Sequence, residues 1–340
     1  MPTRVAIVGV TGYAGGELAR LLLRHPEARL VAAVARSHQG EPLRAAQPHL
    51  HSAPDSIVIG SDVGDAEVVF TALPAGEAAR QAGAWIDDGR TVIDIGSDFR
   101  LRDPKLYERW YGYTHPAPDL LKDAVYGLTE LTRDRVRGAR VIANPGCYPT
   151  ASLLALAPAL KAKLVTEEIV VDAKSGVSGA GHSVDDAYLF GTIDESVRPY
   201  GVPRHRHTPE IAQEATILLG ATAKLTFTPH LVPMTRGLIA TCYAPLRAGK
   251  TAQDVADAYS REYAEEPFVR TVDTFPATKA TLGSNWCLVH AVVDEDNARL
   301  IAFAVLDNLV KGAAGSAIQN FNARFGYPET MGLEALPLWP

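Results

Sequence analysis

Val5-Ala6-Ile7-Val8-Gly9-Val10-Thr11-Gly12-Tyr13-Ala14-Gly15-Gly16-Glu17-Leu18-Ala19-Arg20-Leu21-Leu22-Leu23 is a strand, a glycine turn and a helix in immediate succession. Val5 to Val10 is continuous and β-rich. Glu17 to Leu23 carries its apolar residues at helical spacing. Arg29 to Ala35 reads as a second strand, which completes one βαβ unit of about 30 residues. Gly9, Gly12 and Gly15 are spaced G-x-x-G-x-x-G. Residues without side chains let the backbone approach a pyrophosphate at a helix N-terminus. Gly9, Thr11, Gly12, Tyr13, Ala14 and Gly15 are therefore the candidate cofactor-binding stretch. An NAD site would place a carboxylate about 20 residues beyond the glycines. Here the chain reads Ala35-Arg36-Ser37-His38, and Arg36 with Ser37 suits a 2′-phosphate. The expectation is NADP(H).

More α/β alternation follows. Strands are expected at Ile57–Ile59, Val68–Leu73, Thr91–Gly96 and Val141–Ala143, with a helix over Gly76–Asp88. This pattern predicts an α/β fold with a doubly wound, mostly parallel Rossmann sheet. Ligands gather at the carboxyl ends of such strands. The glycine loop, Pro74, Arg100 and Cys147 all fall at those ends, and Pro74 joins the cofactor-binding candidates.

Cys147 lies in Asn144-Pro145-Gly146-Cys147-Tyr148-Pro149-Thr150, between the Val141–Ala143 strand and an apolar helical stretch, Thr150 to Leu160. The spacing predicts a tight turn feeding a helix N-terminus, with Pro149 at the first helical position. Free N–H groups and partial positive charge there stabilise a thiolate. Cys242 and Cys287 sit inside strand-like runs and read as buried structural cysteines.

The second half reads as an α+β domain with a mixed or antiparallel sheet. Strands are expected at Glu168–Ala173, Lys224–Phe227, Gly237–Ala244, Val269–Val272, Trp286–Val293 and Arg299–Leu306. Arg204-His205-Arg206-His207-Thr208-Pro209-Glu210-Ile211 leads into a helix that Gly220 ends, with Thr208 as its expected cap. His205 and His207 are candidate acid/base groups. Glu210, in the first turn, is placed to orient an imidazole.

Composition limits the alternatives. The 340 residues suffice for two domains, 47% of them are hydrophobic, and the net charge is −6. That charge gives no electrostatic case for nucleic acid or an anionic membrane. No apolar run reaches transmembrane length. Three scattered cysteines form neither a disulfide framework nor a metal-ligand set, and no metal is expected. The chain enters a strand at Arg4 without an apolar signal core, so a cytoplasmic protein is expected. Broad antiparallel faces commonly serve as subunit interfaces, and a homodimer or homotetramer is expected.

The motifs together resemble the N-acetyl-γ-glutamyl-phosphate reductase family. The resemblance rests on Gly9-x-x-Gly12-Tyr13-x-Gly15-Gly16-Glu17-Leu18, Ser97-Asp98-Phe99-Arg100-Leu101, the Asn144–Thr150 and His205–Ile211 runs, Pro233-Met234-Thr235-Arg236-Gly237 and Asp307–Gly315. It implies reduction of an acyl phosphate to a semialdehyde with NADPH, in arginine biosynthesis. It places the nucleophile at Cys147 and the histidine base on the His205 segment, His205 ahead of His207, with Glu210 as partner. Ser178, Gly179 and Asn308 look like cofactor contacts of this family and of the related aspartate-semialdehyde dehydrogenases. Arg100 and Arg236 are substrate-binding candidates, since a guanidinium matches phosphate and carboxylate alike. The family's C-terminal helix packs back on the nucleotide domain. The implied division is thus 1–146 with 308–340 for the dinucleotide, and 147–307 for catalysis and oligomerisation. Two alternatives stay open: another acyl-phosphate reductase of the same fold, acting on an aspartyl or carrier-bound aminoadipyl phosphate, and a non-catalytic NADP sensor.

Overall fold

A computed structural model describes residues 1–182 and 185–340. The chain divides into two compact units, 1–146 with 313–335, and 147–312 with 336–340.

The first unit begins β1 (Thr3–Val8), α1 (Tyr13–Leu22), β2 (Ala28–Val34), α2 (Leu43–Ala46), β3 (Ile59–Gly60) and β4 (Val68–Thr71). It continues through α3 (Ala79–Asp87), β5 (Thr91–Asp94), α4 (Lys105–Tyr111), α5 (Leu120–Asp123), β6 (Val125–Tyr126), α6 (Thr129–Gly138) and β7 (Val141–Ala143). Its seven strands run in the order β3-β2-β1-β4-β5-β7-β6. Every pairing is parallel. Both faces are covered, so β4 is buried at all four positions, three of them apolar and the fourth Thr71. Ala6, Val69 and Val92 pack with Ala79, Ala82 and Tyr107 on one side. Phe70 points to the other side and meets Phe321 at 5.9 Å between ring centroids. The strand order reverses between β1 and β4, the switch point where α/β sheets take ligands.

The helix expected from Gly76 begins at Ala79. The Asp98 carboxylate accepts the N–H groups of Gly76 at 2.6 Å and Ala79 at 2.9 Å. This satisfies the first turn from outside the helix and leaves Pro74-Ala75-Gly76 as a turn. The strand expected at Ile57–Ile59 is the two-residue β3.

The second unit contains α7 (Cys147–Lys161), β8 (Glu168–Ser175), α8 (Phe190–Ile193), β9 (Arg198–Pro199), α9 (Thr208–Leu219) and β10 (Lys224–Leu231). β11 (Leu238–Pro245), α10 (Ala252–Tyr263), β12 (Val269–Thr271), β13 (Cys287–Asp294) and β14 (Arg299–Leu306) complete it. The sheet order is β12-β13-β14-β11-β8-β10-β9. It is mixed: β8 pairs β10 and β12 pairs β13 in parallel, and the other pairings are antiparallel. Cys242 and Cys287 are fully buried, and burial pushes the Cys242 thiol well up. α7 is buried at every position from Tyr148 to Leu160. A helix apolar all round belongs inside a core. Pro158 lies within it and cannot donate to the Leu154 carbonyl. The Tyr263 hydroxyl donates to that carbonyl instead.

A π-turn (Val310–Ala314) then leads into α11 (Gly315–Phe325), which belongs to the first unit.

Candidate active site

Close approach shapes the first unit's glycine loop. Gly9 has φ +96°, and a Cβ there would stand 2.3 Å from the Ala72 carbonyl oxygen. A Cβ on Gly15 would stand 2.2 Å from the Gly9 oxygen. Gly12 caps α1 without a side-chain hydrogen bond, so the helix dipole faces the loop unscreened. Thr11, Tyr13 and Ala14 fill the turn between the glycines, with Tyr13 exposed. Gln47 braces the loop from below, donating to the carbonyls of Val10 at 2.9 Å and Gly12 at 3.2 Å. A glycine turn wound too tightly for a Cβ at Gly9 or Gly15, at the start of a ten-residue helix, fits the close backbone approach a pyrophosphate needs. Arg36 and Ser37 follow β2 and are exposed. The Arg36 guanidinium donates to Glu77 at 2.6 Å, and Pro74 stands exposed in the turn before Glu77.

The ends of β5 and β7 are tied by buried polar groups. Asp94 accepts from the Thr71 hydroxyl at 2.6 Å and from the N–H groups of Gly96 and Asp98. Burial, with the Asp98 charge beside it, raises the Asp94 carboxyl to about 6. Arg100 is buried and donates to the carbonyls of Asn144 at 2.9 Å and Ile95 at 2.8 Å. Asn144 is itself held: its N–H donates to the Asp94 carbonyl and its amide to the Ala313 carbonyl. The turn that precedes Cys147 is therefore fixed at its main chain.

In the second unit Cys147 is the first residue of α7 and is half-buried. The helix starts here rather than at Pro149. Pro149 falls in the first turn, where an N–H has no intrahelical partner to lose. The thiol thus sits nearer the positive end of the dipole than the spacing predicts. Gly312, in the π-turn, passes so close that a Cβ would come within 2.8 Å of the Cys147 Cβ. Two phenols flank the nucleophile. Tyr200 donates to Tyr148 at 3.2 Å, and Tyr148 donates to the His230 carbonyl at 3.1 Å. Burial raises both phenols, and the charge of the Cys147 sulfur raises each further.

His205 stands in an aromatic box. Its ring lies 5.8 Å from Tyr148, 5.2 Å from Tyr200, 5.0 Å from His207 and 5.3 Å from Phe227, each close to edge-on. Burial, aided by the Arg206 charge, pushes it down to about 4. The His207 N–H donates to His205 Nδ1 at 3.1 Å. This bond winds the chain ahead of Thr208, so His207 rather than Thr208 takes the cap position of α9. Glu210 is fully buried in the first turn of that helix. Asn308 spends its amide on two loops, donating to Ser178 Oγ at 2.9 Å and accepting from the Gly237 N–H at 2.9 Å. Gly179, next to Ser178, is exposed. Arg236 is half-buried, its guanidinium 3.6 Å from the buried Asp307 carboxylate.

Comparison with known proteins places this geometry. Residues 4–139 match the semialdehyde dehydrogenase NAD binding domain, and residues 147–308 match the semialdehyde dehydrogenase dimerisation domain. The chain is 50% identical to an N-acetyl-gamma-glutamyl-phosphate reductase of Symbiobacterium thermophilum, over 100% of both chains. It is 46% identical to that of Heliobacterium modesticaldum, over 99% of both. This chain belongs to the N-acetyl-gamma-glutamyl-phosphate reductase family. Aspartate semialdehyde dehydrogenase II of Vibrio cholerae shares the fold, with TM-score 0.73 and 19% identity over 96% of this chain and 99% of its own. The Candida albicans aspartate semialdehyde dehydrogenase, solved with NADP, gives TM-score 0.71 and 15% identity over 95% and 98%.

As a member of this reductase family the chain is an oxidoreductase. The structure gathers Cys147, His205 and His207 around Tyr148 in the second unit. In the first unit it gathers the glycine loop at the β1 end and ties Arg100 to the turn before Cys147. Several residues that carry this reductase's architecture have no local signal. Gln47, Tyr200 and Asn320 act across long stretches of chain, and a lone Gln, Tyr or Asn announces nothing. Gly312 was visible inside the Asp307–Gly315 motif, but not its contact with the nucleophile.

Proposed function

We propose that the protein converts N-acetyl-L-glutamyl 5-phosphate to N-acetyl-L-glutamate 5-semialdehyde and phosphate, a step of arginine biosynthesis. Cys147 at the first position of α7 carries this reading. The helix N-terminus favours the thiolate, which attacks the acyl carbon. The C–O bond to phosphate breaks and a thioester forms. The Gly9–Gly15 loop would hold NADPH, with Arg36 and Ser37 toward its 2′-phosphate, and the bound cofactor would supply the hydride. The resulting oxyanion collapses, the C–S bond breaks, and Cys147 returns as thiolate. N–H groups of the first turn of α7 stabilise the oxyanion.

His205 and His207 are the acid/base candidates, with Glu210 supporting their segment. Ser178, Gly179 and Asn308 are further cofactor-contact candidates, on the resemblance to the family. Arg236 is the guanidinium for the substrate's phosphate or carboxylate. Arg100, already bonded to two main-chain carbonyls, holds the nucleophile's turn and is the second anion candidate. The half-exposed face of the second sheet, with Val170, Tyr243, Ile301 and Phe303, is the surface for a homodimer or homotetramer. Among the described residues no helix is long and apolar enough to cross a membrane, and the cytoplasm is the proposed compartment.

The test is phosphate-dependent NADP⁺ reduction with N-acetylglutamate semialdehyde, run beside aspartate semialdehyde. Preference for the N-acetylglutamate compound is expected. Preference for the aspartate compound, or no turnover of either, would overturn the reading.

A further inference from the structure

We infer that Asp307 is a positioning residue for the nucleophile: it winds the turn that lays Gly312 against Cys147, and through that turn it sets the Cys147 side-chain rotamer. The inference deepens the proposed reaction and rests on its assignment of Cys147. Asp307 directly follows β14 and is fully buried. One carboxylate oxygen accepts the N–H groups of Leu309 at 2.9 Å and Val310 at 3.2 Å. The other accepts the Gly283 N–H at 2.8 Å, and the Arg236 guanidinium lies 3.6 Å from it. A carboxylate offers acceptors only, so it holds N–H groups on both sides without conflict. An amide in its place would set N–H against N–H on one of them.

The main chain of Asp307 takes part as well. Its carbonyl accepts the Gly312 N–H at 2.9 Å, five residues on, the spacing of a π-turn. One residue thus holds the N–H groups of Leu309, Val310 and Gly312. Lys311, between the last two, is fully buried with its ammonium over the Phe268 ring at 5.8 Å.

Gly312 is where this turn meets the nucleophile. A Cβ there would stand 2.8 Å from the Cys147 Cβ, 3.3 Å from its Cα and 3.2 Å from Leu306 Cδ1. The Gly312 backbone therefore closes one side of the Cys147 Cβ. A cysteine sulfur turns about a single bond and takes staggered positions. Inside a helix the preceding turn excludes one of them. Cys147 is the first residue of α7 and has no preceding turn, so the neighbouring π-turn supplies the wall.

The readout is alkylation of Cys147 by iodoacetamide, followed on its peptide by mass spectrometry. The reagent is uncharged and needs no anion site, so Arg236 does not enter the measurement. Asp307→Ala and Gly312→Ala are each expected to slow alkylation about tenfold, the scale of one lost rotamer preference. Because both act through one contact, the double variant is expected to fall short of the product of the two effects by at least about threefold. A double variant equal to the product would overturn the inference. Asp307→Ser keeps an oxygen for the Leu309 and Val310 N–H groups and gives up Gly283, so its rate is expected within about threefold of wild type. A serine variant as slow as Gly312→Ala would overturn the inference, and this arm carries the test alone if the alanine variant does not fold. Thr251→Ala removes the capping box of α10 and lowers stability away from the turn. Its alkylation is expected at the wild-type rate, and equal slowing there would overturn the inference. A wild type without phosphate-dependent turnover refutes the reaction itself, a result distinct from an active wild type whose two alanine effects simply multiply.

Discussion

The Asn320 side-chain amide donates to the Asn144 side-chain oxygen at 3.0 Å, across 176 residues of sequence. The same nitrogen reaches the Gly127 carbonyl at 2.7 Å, and the Asn320 oxygen accepts from the Thr129 hydroxyl at 2.9 Å. All four residues are in the first unit, and Asn144 opens the turn that ends in Cys147. Asn320→Leu would strand buried polar partners, at on the order of 1–3 kcal/mol. Urea unfolding should show that loss, and kcat should fall in conditions where the variant remains folded. A variant as stable as wild type would refute the bracing role.

Cys147→Ser should reduce turnover by about 10⁴-fold or more. NADPH titration followed by fluorescence should return nearly the wild-type affinity. Measurable turnover near the wild-type rate would remove the covalent intermediate.

Two glycines separate cofactor from nucleophile. Gly15→Ala pushes a methyl against the Gly9 carbonyl, so NADPH affinity should fall by about tenfold or more, at the 1–3 kcal/mol typical of overpacking. Gly312→Ala presses on the Cys147 side chain instead. Its NADPH affinity should hold while alkylation of Cys147 by iodoacetamide slows. Matching defects in the two variants would contradict this division.

Arg36 and Glu77 bear on cofactor choice. Removing the guanidinium by Arg36→Ala should weaken NADPH about tenfold and leave NADH unchanged, consistent with one charged hydrogen bond. Glu77 competes for the same guanidinium at 2.6 Å. Its exposed ion pair is worth about 0–1 kcal/mol, so Glu77→Gln should tighten NADPH severalfold at most. Equal changes for NADH in calorimetric titrations would argue against a 2′-phosphate contact.

Acid should destabilise the fold through His205. Its folded value lies near 4 and its unfolded value near 6.5. Between these the unfolded chain binds the extra proton, so stability is complete above the upper value and drains away as pH falls through the window. Asp94 has the opposite sign: its folded carboxyl is raised from 3.8 to about 6, so its contribution weakens as pH rises through that range. Denaturant titrations of wild type and His205→Gln should converge or cross as pH falls from 6.5 toward 4. A pH-independent gap between them would refute a neutral buried imidazole.

What the sequence made legible was local. The strand, glycine turn and helix at Val5–Leu23 needed only contiguous residues, and so did the turn carrying Cys147. The start of α7 was misplaced because Pro149 reads as a first position, yet any first-turn position tolerates a missing N–H. The early winding at His207 depends on an imidazole nitrogen accepting a backbone N–H two residues on, which periodicity does not encode. Gln47 beneath the glycine loop, and Asn320 behind Asn144, become neighbours only after the sheet order is set. That order comes from long-range pairing. A two-residue strand such as β9 has too few side chains to register any alternation.

The return of α11 to the first unit governs how the molecule must be made. Synthesis delivers residues 1–146 and then the body of the second unit, and only afterward Gly315–Phe325. Until then the Phe70 side of the sheet has no Phe321 to cover it, and Asn144 waits for Asn320. A nascent chain paused before α11 carries an apolar slab of the kind chaperones recognise. The nucleotide-binding half closes only once the body of the half that follows it has been made, and a fragment severed at Gly146 lacks the helix that closes its core.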